Sequence, residues 1–225
     1  MSEFDFIPPS MPTPAFEHQD ENRFDEEVEA EDFGLMSDFG IMNEEVNEDL
    51  LPDNYAPSSI SVGFMGVGGA GNKMAAAFIA EGFTKTLLVN TTGKDIPDEI
   101  AEEHVALIPN ADGIGKDTRL GKSVLEGNSA VVEDALRTKL GKVDWLFVMA
   151  GGGGGTGSSV AALHEATQRY MKSVQAQGEV VYIVSWPTSQ ELLNPTIAKN
   201  ALSLLNDVSE YPHIVIDNER QLRLL

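Results

Sequence analysis

Three glycine-rich stretches hold most of the chemistry open to this sequence: GVGGAGN at Gly66–Asn72, GIGKDTRLG at Gly113–Gly121 and GGGGGTGSS at Gly151–Ser159. Glycine lets the main chain come close to a ligand and aim its N–H groups at it. Where such a run leads into a helix, free N–H groups and the positive end of the helix dipole are added, and the combination binds phosphate. Five consecutive glycines followed by Thr156 make a nest wide enough for a di- or triphosphate. On this reading, side chains at those positions would occupy the phosphates' space. A flexible linker is the alternative, but Gly-rich linkers rarely stand between a buried strand and a long helix.

Other reactive groups are sparse. The chain has no cysteine, which excludes disulfides, zinc–thiolate sites and thiol catalysis. His104, His164 and His213 are scattered, without metal-ligand spacing, and read as structural or solvated. Activation of water needs a positioned acid or base, and none stands out. Asp112 and Asp117 fall near the middle glycine stretch. No catalytic residue and no protein-held metal are assigned.

The elements that must position these stretches alternate along the chain. Apolar runs predict strands at 60–65, 86–90, 105–108, 145–150, 180–186 and 214–217. Helical spacing predicts helices at 73–81, 129–140, 160–176 and 195–207, the last opened by Pro195, a position proline tolerates. Residues 109–121 read as a polar loop. Continuously apolar strands alternating with helices indicate an α/β fold, a Rossmann-like parallel sheet with helices on both faces. Each glycine stretch then follows the carboxyl end of a strand, where such sheets bind ligands.

Ahead of this body lies an acidic leader. Residues 1–58 hold 17 Asp and Glu against one Arg, within a chain of net charge −21. Residues 1–57 read as a disordered acidic segment, and 58–225 as the folded domain. Six of the ten phenylalanines lie in the leader, and DFGLM at Asp32–Met36 recurs as DFGIM at Asp38–Met42. Apolar beads in an acidic chain have the form of a docking motif for a protein partner, doubled for avidity. A chance repeat in a biased composition is the alternative. The charge invites neither nucleic acid nor an anionic membrane. No apolar run reaches the length of a membrane span and no signal pattern opens the chain, so a cytoplasmic protein is expected.

Two familiar phosphate motifs fit poorly. Gly66-x-Gly68-x-x-Gly71 matches the dinucleotide fingerprint, but an acid should follow about 20 residues on. Asn90 stands there, with Asp95 five residues later. The P-loop spacing fails at Gly115–Ser123, which has one residue too many, and at Gly152–Ser159, where Ser158 takes the lysine's place.

The set as a whole resembles the tubulin/FtsZ superfamily. Its GGGTG[ST]G signature appears as GGGTGSS at Gly153–Ser159, and its first glycine loop as GVGGAGN at Gly66–Asn72. NTTGKD at Asn90–Asp95 is similar to the family's second loop, GIGKDTRLG to the loop at the γ-phosphate, and IVIDNERQL at Ile214–Leu222 to the segment opening the central helix. The resemblance implies a GTP/GDP-binding domain, with Gly68, Gly69, Ala70, Gly71 and Asn72 near the diphosphate. It implies Gly153, Gly154, Gly155, Thr156, Gly157 and Ser158 on the other side of that diphosphate. Gly115, Lys116, Asp117 and Thr118 would lie at the γ-phosphate, Asn218 at the sugar or base, and Glu191 at the ribose. Mg2+ would bridge the phosphates, held by them and by water.

There are departures from the family pattern. Thr92 replaces the usual Asp of the second loop, Lys116 stands at a glycine, and Ser159 replaces the last glycine of the signature. Lys116 either pairs with the γ-phosphate or points into solvent, the commoner fate of such a lysine. The resemblance also implies that hydrolysis needs a loop of a second domain, beyond the central helix, acting on the next subunit's nucleotide. The chain ends at ERQLRLL, and its last leucines read as the stub of a longer helix. Three functions follow: a GTP-binding filament protein of which this chain is the nucleotide-binding half, a non-enzymatic scaffold of the same fold acting through its leader, and an NAD-dependent oxidoreductase.

Overall fold

The computed structural model describes residues 60–109, 111 and 113–224. The acidic segment 1–57 with its doubled motif, and Asp112, lie outside the described residues. The body is one parallel six-stranded sheet. In chain order the strands are β1 (Val62–Val67), β2 (Thr86–Asn90), β3 (Val105–Leu107), β4 (Trp145–Gly151), β5 (Val180–Trp186) and β6 (His213–Asp217). They lie side by side as β3-β2-β1-β4-β5-β6, every neighbouring pair parallel. The order reverses between β1 and β4, so the turns leaving these two strands flank a natural crevice.

The pleat sends alternate residues of each strand to opposite faces. Met65, Val67, Leu87, Val89, Leu146, Val148, Tyr182 and Val184 bury the larger core. That face is covered by α2 (Thr118–Gly127), α3 (Ser129–Ala135), α4 (His164–Ser173) and α5 (Pro195–Val208). These helices contribute Leu125, Val132, Tyr170, Leu204 and Val208 to the core. On the other face Phe64, Leu88 and Met149 pack with Ala75 of α1 (Gly68–Ala80), and Phe78 stacks on Phe64 with ring centroids 4.0 Å apart. Helices therefore cover both faces, as expected, but unequally. A short α6 (Asn218–Leu222) follows β6.

Strand positions follow the sequence expectation closely, and β2 and β5 match it residue for residue. Helix starts agree to the residue for α3 and α5 and differ for α1 and α4. α1 begins at Gly68 rather than Lys73, so most of the glycine stretch is strand end and first helical turn. Gly68 alone turns the chain, at φ +71°, a conformation that favours glycine. α2 was not expected inside the polar loop. It forms because Asp117 caps it, accepting N–H bonds from Arg119 and Leu120 at 2.9 and 3.1 Å. The segment 157–163 is a 3-10 turn leading into α4, and 136–140 closes α3 with a π turn.

The glycines at the crevice let main chain pack on main chain. A Cβ on Gly71 would run into the Met149 carbonyl of β4, and one on Gly66 into the carbonyl of Gly71. Gly71→Ala should therefore destabilise the domain by about 3 kcal/mol, read as a lowered urea midpoint. A second test concerns His164. It is stacked on Tyr211 at 3.7 Å, its Nδ1 is 3.0 Å from the Tyr182 hydroxyl, and burial holds its pKa below the ordinary value of 6.5. The fold thus favours the neutral ring. Its contribution is complete above 6.5 and is lost as pH falls through the lower folded value. His164→Gln should flatten the fall of the urea midpoint with acidification in that window.

Candidate functional site

Turns from four strands converge on one hollow of about 220 Å³ at the carboxyl edge of the sheet. α1 contributes Gly69. The end of β2 and the turn after it contribute Asn90, Thr91, Thr92 and Asp95. The chain after β3 contributes Gly113, Ile114 and Gly115, and the run after β4 contributes Gly154, Gly155, Thr156 and Gly157. Half of these lining residues are glycines, so the wall is largely main chain.

Short bonds lock the turns to each other. The Gly155 N–H donates to the Gly115 carbonyl at 2.8 Å. The Thr91 and Thr156 hydroxyls are 3.0 Å apart, joining the second turn to the fourth. Ser159, where the family signature has glycine, donates to the Gly155 carbonyl at 2.8 Å and the Thr118 carbonyl at 3.0 Å. Ser159 thereby ties the glycine run to the start of α2. Gly121 is its counterpart, since a Cβ there would strike the Ser159 hydroxyl. Asn90 accepts from the Thr91 N–H at 2.9 Å, while its Nδ2 is buried without a partner. That amide is a donor held at the wall of the hollow. The buried side chains of Asn72 and Ser158 also have unpartnered polar atoms.

The expected residues divide into three groups. Gly69, Gly115, Gly154, Gly155, Thr156 and Gly157 line the hollow together. Gly68, Ala70, Gly71, Asn72, Gly153 and Ser158 belong to the same turns but are not among its lining residues. Asn72 and Ser158 are fully buried, and their side chains do not face outward. The remaining expected residues lie elsewhere. Lys116 and Thr118 open onto a neighbouring hollow of about 350 Å³ with Arg119 and Lys199. Asp117 also borders that hollow; its carboxyl is held below the ordinary range, first by the Leu120 N–H it accepts. Glu191 accepts from the N–H and hydroxyl of Thr188 at 2.8 and 2.9 Å, closing its own turn. Asn218 accepts from the Ser185 hydroxyl at 2.9 Å.

Asn90, Thr91, Thr92, Asp95, Gly113 and Ile114 fall in stretches the sequence matched to family loops, but they were assigned no individual site role. Their signal was their position. Asn90, Thr91, Thr92 and Asp95 follow β2 at the same edge as the glycine turns, and a polar NTT directly after an apolar strand marks that edge.

The five-glycine run also needs a divided explanation. A Cβ on Gly155 would meet Ile114 at 2.8 Å and the Gly115 carbonyl at 3.0 Å, and one on Gly157 the Gly151 carbonyl at 2.8 Å. One on Gly152 would meet Ala201 at 2.9 Å, whereas Gly153 and Gly154 face open space. Protein, not ligand, thus excludes side chains at most of these positions. Gly154→Ala should leave the unfolding free energy, measured by urea titration, within about 0.5 kcal/mol of wild type. Gly155→Ala should cost about 1–3 kcal/mol.

Among the described residues no helix is long and apolar enough to cross a membrane. Residues 61–225 match the family model described as "Tubulin/FtsZ family, GTPase domain". "Cell division protein FtsZ 2" of Halobacterium salinarum is 29% identical over 164 residues, covering 70% of this chain and 39% of that protein. "Cell division protein FtsZ 1" of Pyrococcus furiosus is 28% identical over 167 residues, covering 71% and 42%. The chain thus spans about two-fifths of the length of these curated relatives. Among solved structures, CetZ from Methanosaeta thermophila superposes with a TM-score of 0.63 at 27% identity, covering 74% of this chain and 48% of that one. CetZ2 from Haloferax volcanii, a GTPγS-bound protofilament, superposes with a TM-score of 0.58 at 27% identity, covering 71% and 50%. With strand order, glycine turns and family match in agreement, the chain belongs to the tubulin/FtsZ family, through that family's GTPase domain.

Proposed function

We propose that this chain is the nucleotide-binding half of a cytoplasmic filament-forming protein that holds GTP or GDP in the hollow at the carboxyl edge of the sheet. The observation that carries the reading is the convergence of four strand-end turns, with Gly154–Gly157 among them, on one hollow walled by main chain. Main-chain N–H groups, the start of α1 and the unpartnered Asn90 amide suit the oxygens of a di- or triphosphate. CetZ2 from Haloferax volcanii with GTPγS bound is a protofilament. A filament with the nucleotide at the contact between subunits is the corresponding proposal here. Assembly would then respond to whether the γ-phosphate is present.

Mg2+ would neutralise phosphate charge. The hollow offers it the hydroxyl-bearing Thr91, Thr92 and Thr156 and the Asp95 carboxylate, hard oxygen donors of the kind this ion takes. No described residue is assigned as a general base, so the chain alone is proposed to hydrolyse GTP very slowly. The oxidoreductase reading loses support because Asn90, the residue where a dinucleotide site wants a ribose-binding acid, is an amide. A scaffold that has lost its ligand is separated from the leading reading by the nucleotide content of the purified protein.

The test is titration with a fluorescent guanine nucleotide in magnesium. Binding is expected, with GTP and GDP competing and NAD not competing. Gly154→Val should weaken binding at least about tenfold while leaving the urea midpoint unchanged. Competition by NAD but not by GTP would overturn the assignment. Phosphate release by the chain alone should remain very slow, and rapid release would reveal a general base among these residues.

A further inference from the structure

Beside the nucleotide hollow lies a second one of about 350 Å³, bordered by Lys116, Asp117, Arg119, Thr196, Lys199 and Asn200. The turn after β3 serves both, Gly115 lining the first and Lys116 the second. Three cationic side chains thus gather at one place in a chain of net charge −21. Among the described residues none of the three forms an ion pair. By contrast Arg137, Arg169, Arg220 and Arg223 each have a carboxylate partner, as does Lys122 further along α2. Cations grouped in a hollow attract an anion more strongly than each would alone. Asp117 offsets part of their charge, but its Oδ1 already accepts the Arg119 and Leu120 N–H groups at 2.9 and 3.1 Å.

The donors that remain point to the kind of anion. Asp117 caps α2, and Asn194 caps α5, its Oδ1 accepting from the Thr196 and Ile197 N–H groups at 3.0 and 3.5 Å. The helix-start donors that a compact phosphate would use are therefore taken. What is left is three long, exposed side chains, one on the turn after β3, one on α2 and one on α5. Charges spread in this way suit a run of carboxylates along a polypeptide, and Arg119 can hold one of them through two parallel bonds.

This sequence itself carries such a run. Residues 1–58, outside the described residues, hold 17 Asp and Glu against one Arg. The chain enters β1 at the edge of the sheet opposite the hollow. There the Ser61 N–H donates to the Asp144 carboxylate at 2.9 Å, and the Ser61 carbonyl accepts from the Asp144 N–H at 2.7 Å. From that edge β1 runs about 20 Å to the carboxyl edge. In a head-to-tail filament the amino edge of one copy faces the carboxyl edge of the next.

Resting on the filament reading above, we propose that this hollow is the docking site for the acidic N-terminal segment of a neighbouring copy of the chain. The contact is made by charge, so it forms quickly and weakens with salt. It lies beside the nucleotide and uses none of the residues that line the nucleotide hollow.

The experiment mixes unlabelled and 15N-labelled full chain in GTP and magnesium. A carbodiimide then joins carboxylates to lysine amines in contact, and mass spectrometry locates the joined pairs. Lys116 and Lys199 should join acids of residues 1–58 at least about fivefold more often than the exposed Lys94 and Lys172 do. The pairs should combine the two labels, which only contact between copies produces. Sodium chloride at about 0.5 M should abolish the excess. Arg119→Glu should bring both lysines down to the level of Lys94, and Arg119→Lys should keep them high. Because Arg119 is exposed, both variants should keep the wild-type urea midpoint and GDP affinity. Equal joining at all four lysines, pairs confined to one label, or an excess that survives Arg119→Glu would overturn the proposal. Loss of the excess in dilute sodium phosphate, but not in sodium chloride of equal ionic strength, would overturn it in favour of a small phosphate anion. A chain that binds nucleotide without the excess overturns the docking alone, whereas a chain that binds no nucleotide overturns the functional reading.

Discussion

Main chain packed directly on main chain, where β1 and β4 part company, is the constraint on which this structure depends. Gly71 lies against the Met149 carbonyl, Gly68 against the Gly157 N–H, and Gly157 against the Gly151 carbonyl. No side chain fits between these segments. α1 can therefore start directly at the end of β1, with no loop between them, and the glycine run can fold back across the crevice. Both turns are fixed by hard-sphere contact and short hydrogen bonds. The hollow they leave is consequently part of the sheet edge rather than an appendage to it, and a ligand there would meet groups already in place.

The edge is reinforced from the larger core. Ser159 joins the run to α2, Asn200 of α5 donates to the Lys116 carbonyl at 3.0 Å, and the Gly155 N–H holds the chain after β3. Three elements packed on one face thus converge on the same few residues. Removing any of these bonds leaves a buried polar group to find another partner, which is costly away from water. This network gives the fold a direct influence on the shape of the hollow.

Much of this was legible in the sequence. Apolar runs such as TLLVN and VVYIVSW marked strands to the residue, because a strand buried on both faces has little choice of composition. The convergence of the glycine stretches followed from the alternation of strands and helices. Three features were less visible. Glycine has low intrinsic helix propensity, so Gly68–Asn72 read as loop although packing makes it helix. Gly121 concealed α2 for the same reason, despite the capping Asp117. The glycine run read as ligand space throughout, whereas only Gly153 and Gly154 are open. That difference arises from contacts with Ile114 and Ala201, far along the chain in one direction or the other. The residues after β2 were matched to the family's second loop but given no ligand role, because Thr, Asn and Asp after a strand look like any turn. Only the converging geometry distinguishes them.

The glycine-built wall has a consequence for how such a protein can diverge. Peptide amides are the same in every residue, and most of these glycines are held in place by steric contact. Substitution therefore has few routes by which to alter what the hollow prefers. The segment from Asn90 to Asp95 is one, since it presents four non-glycine residues to the interior. Lineages sharing this scaffold would be expected to tune ion requirement and ligand preference there, while the remainder of the rim drifts little.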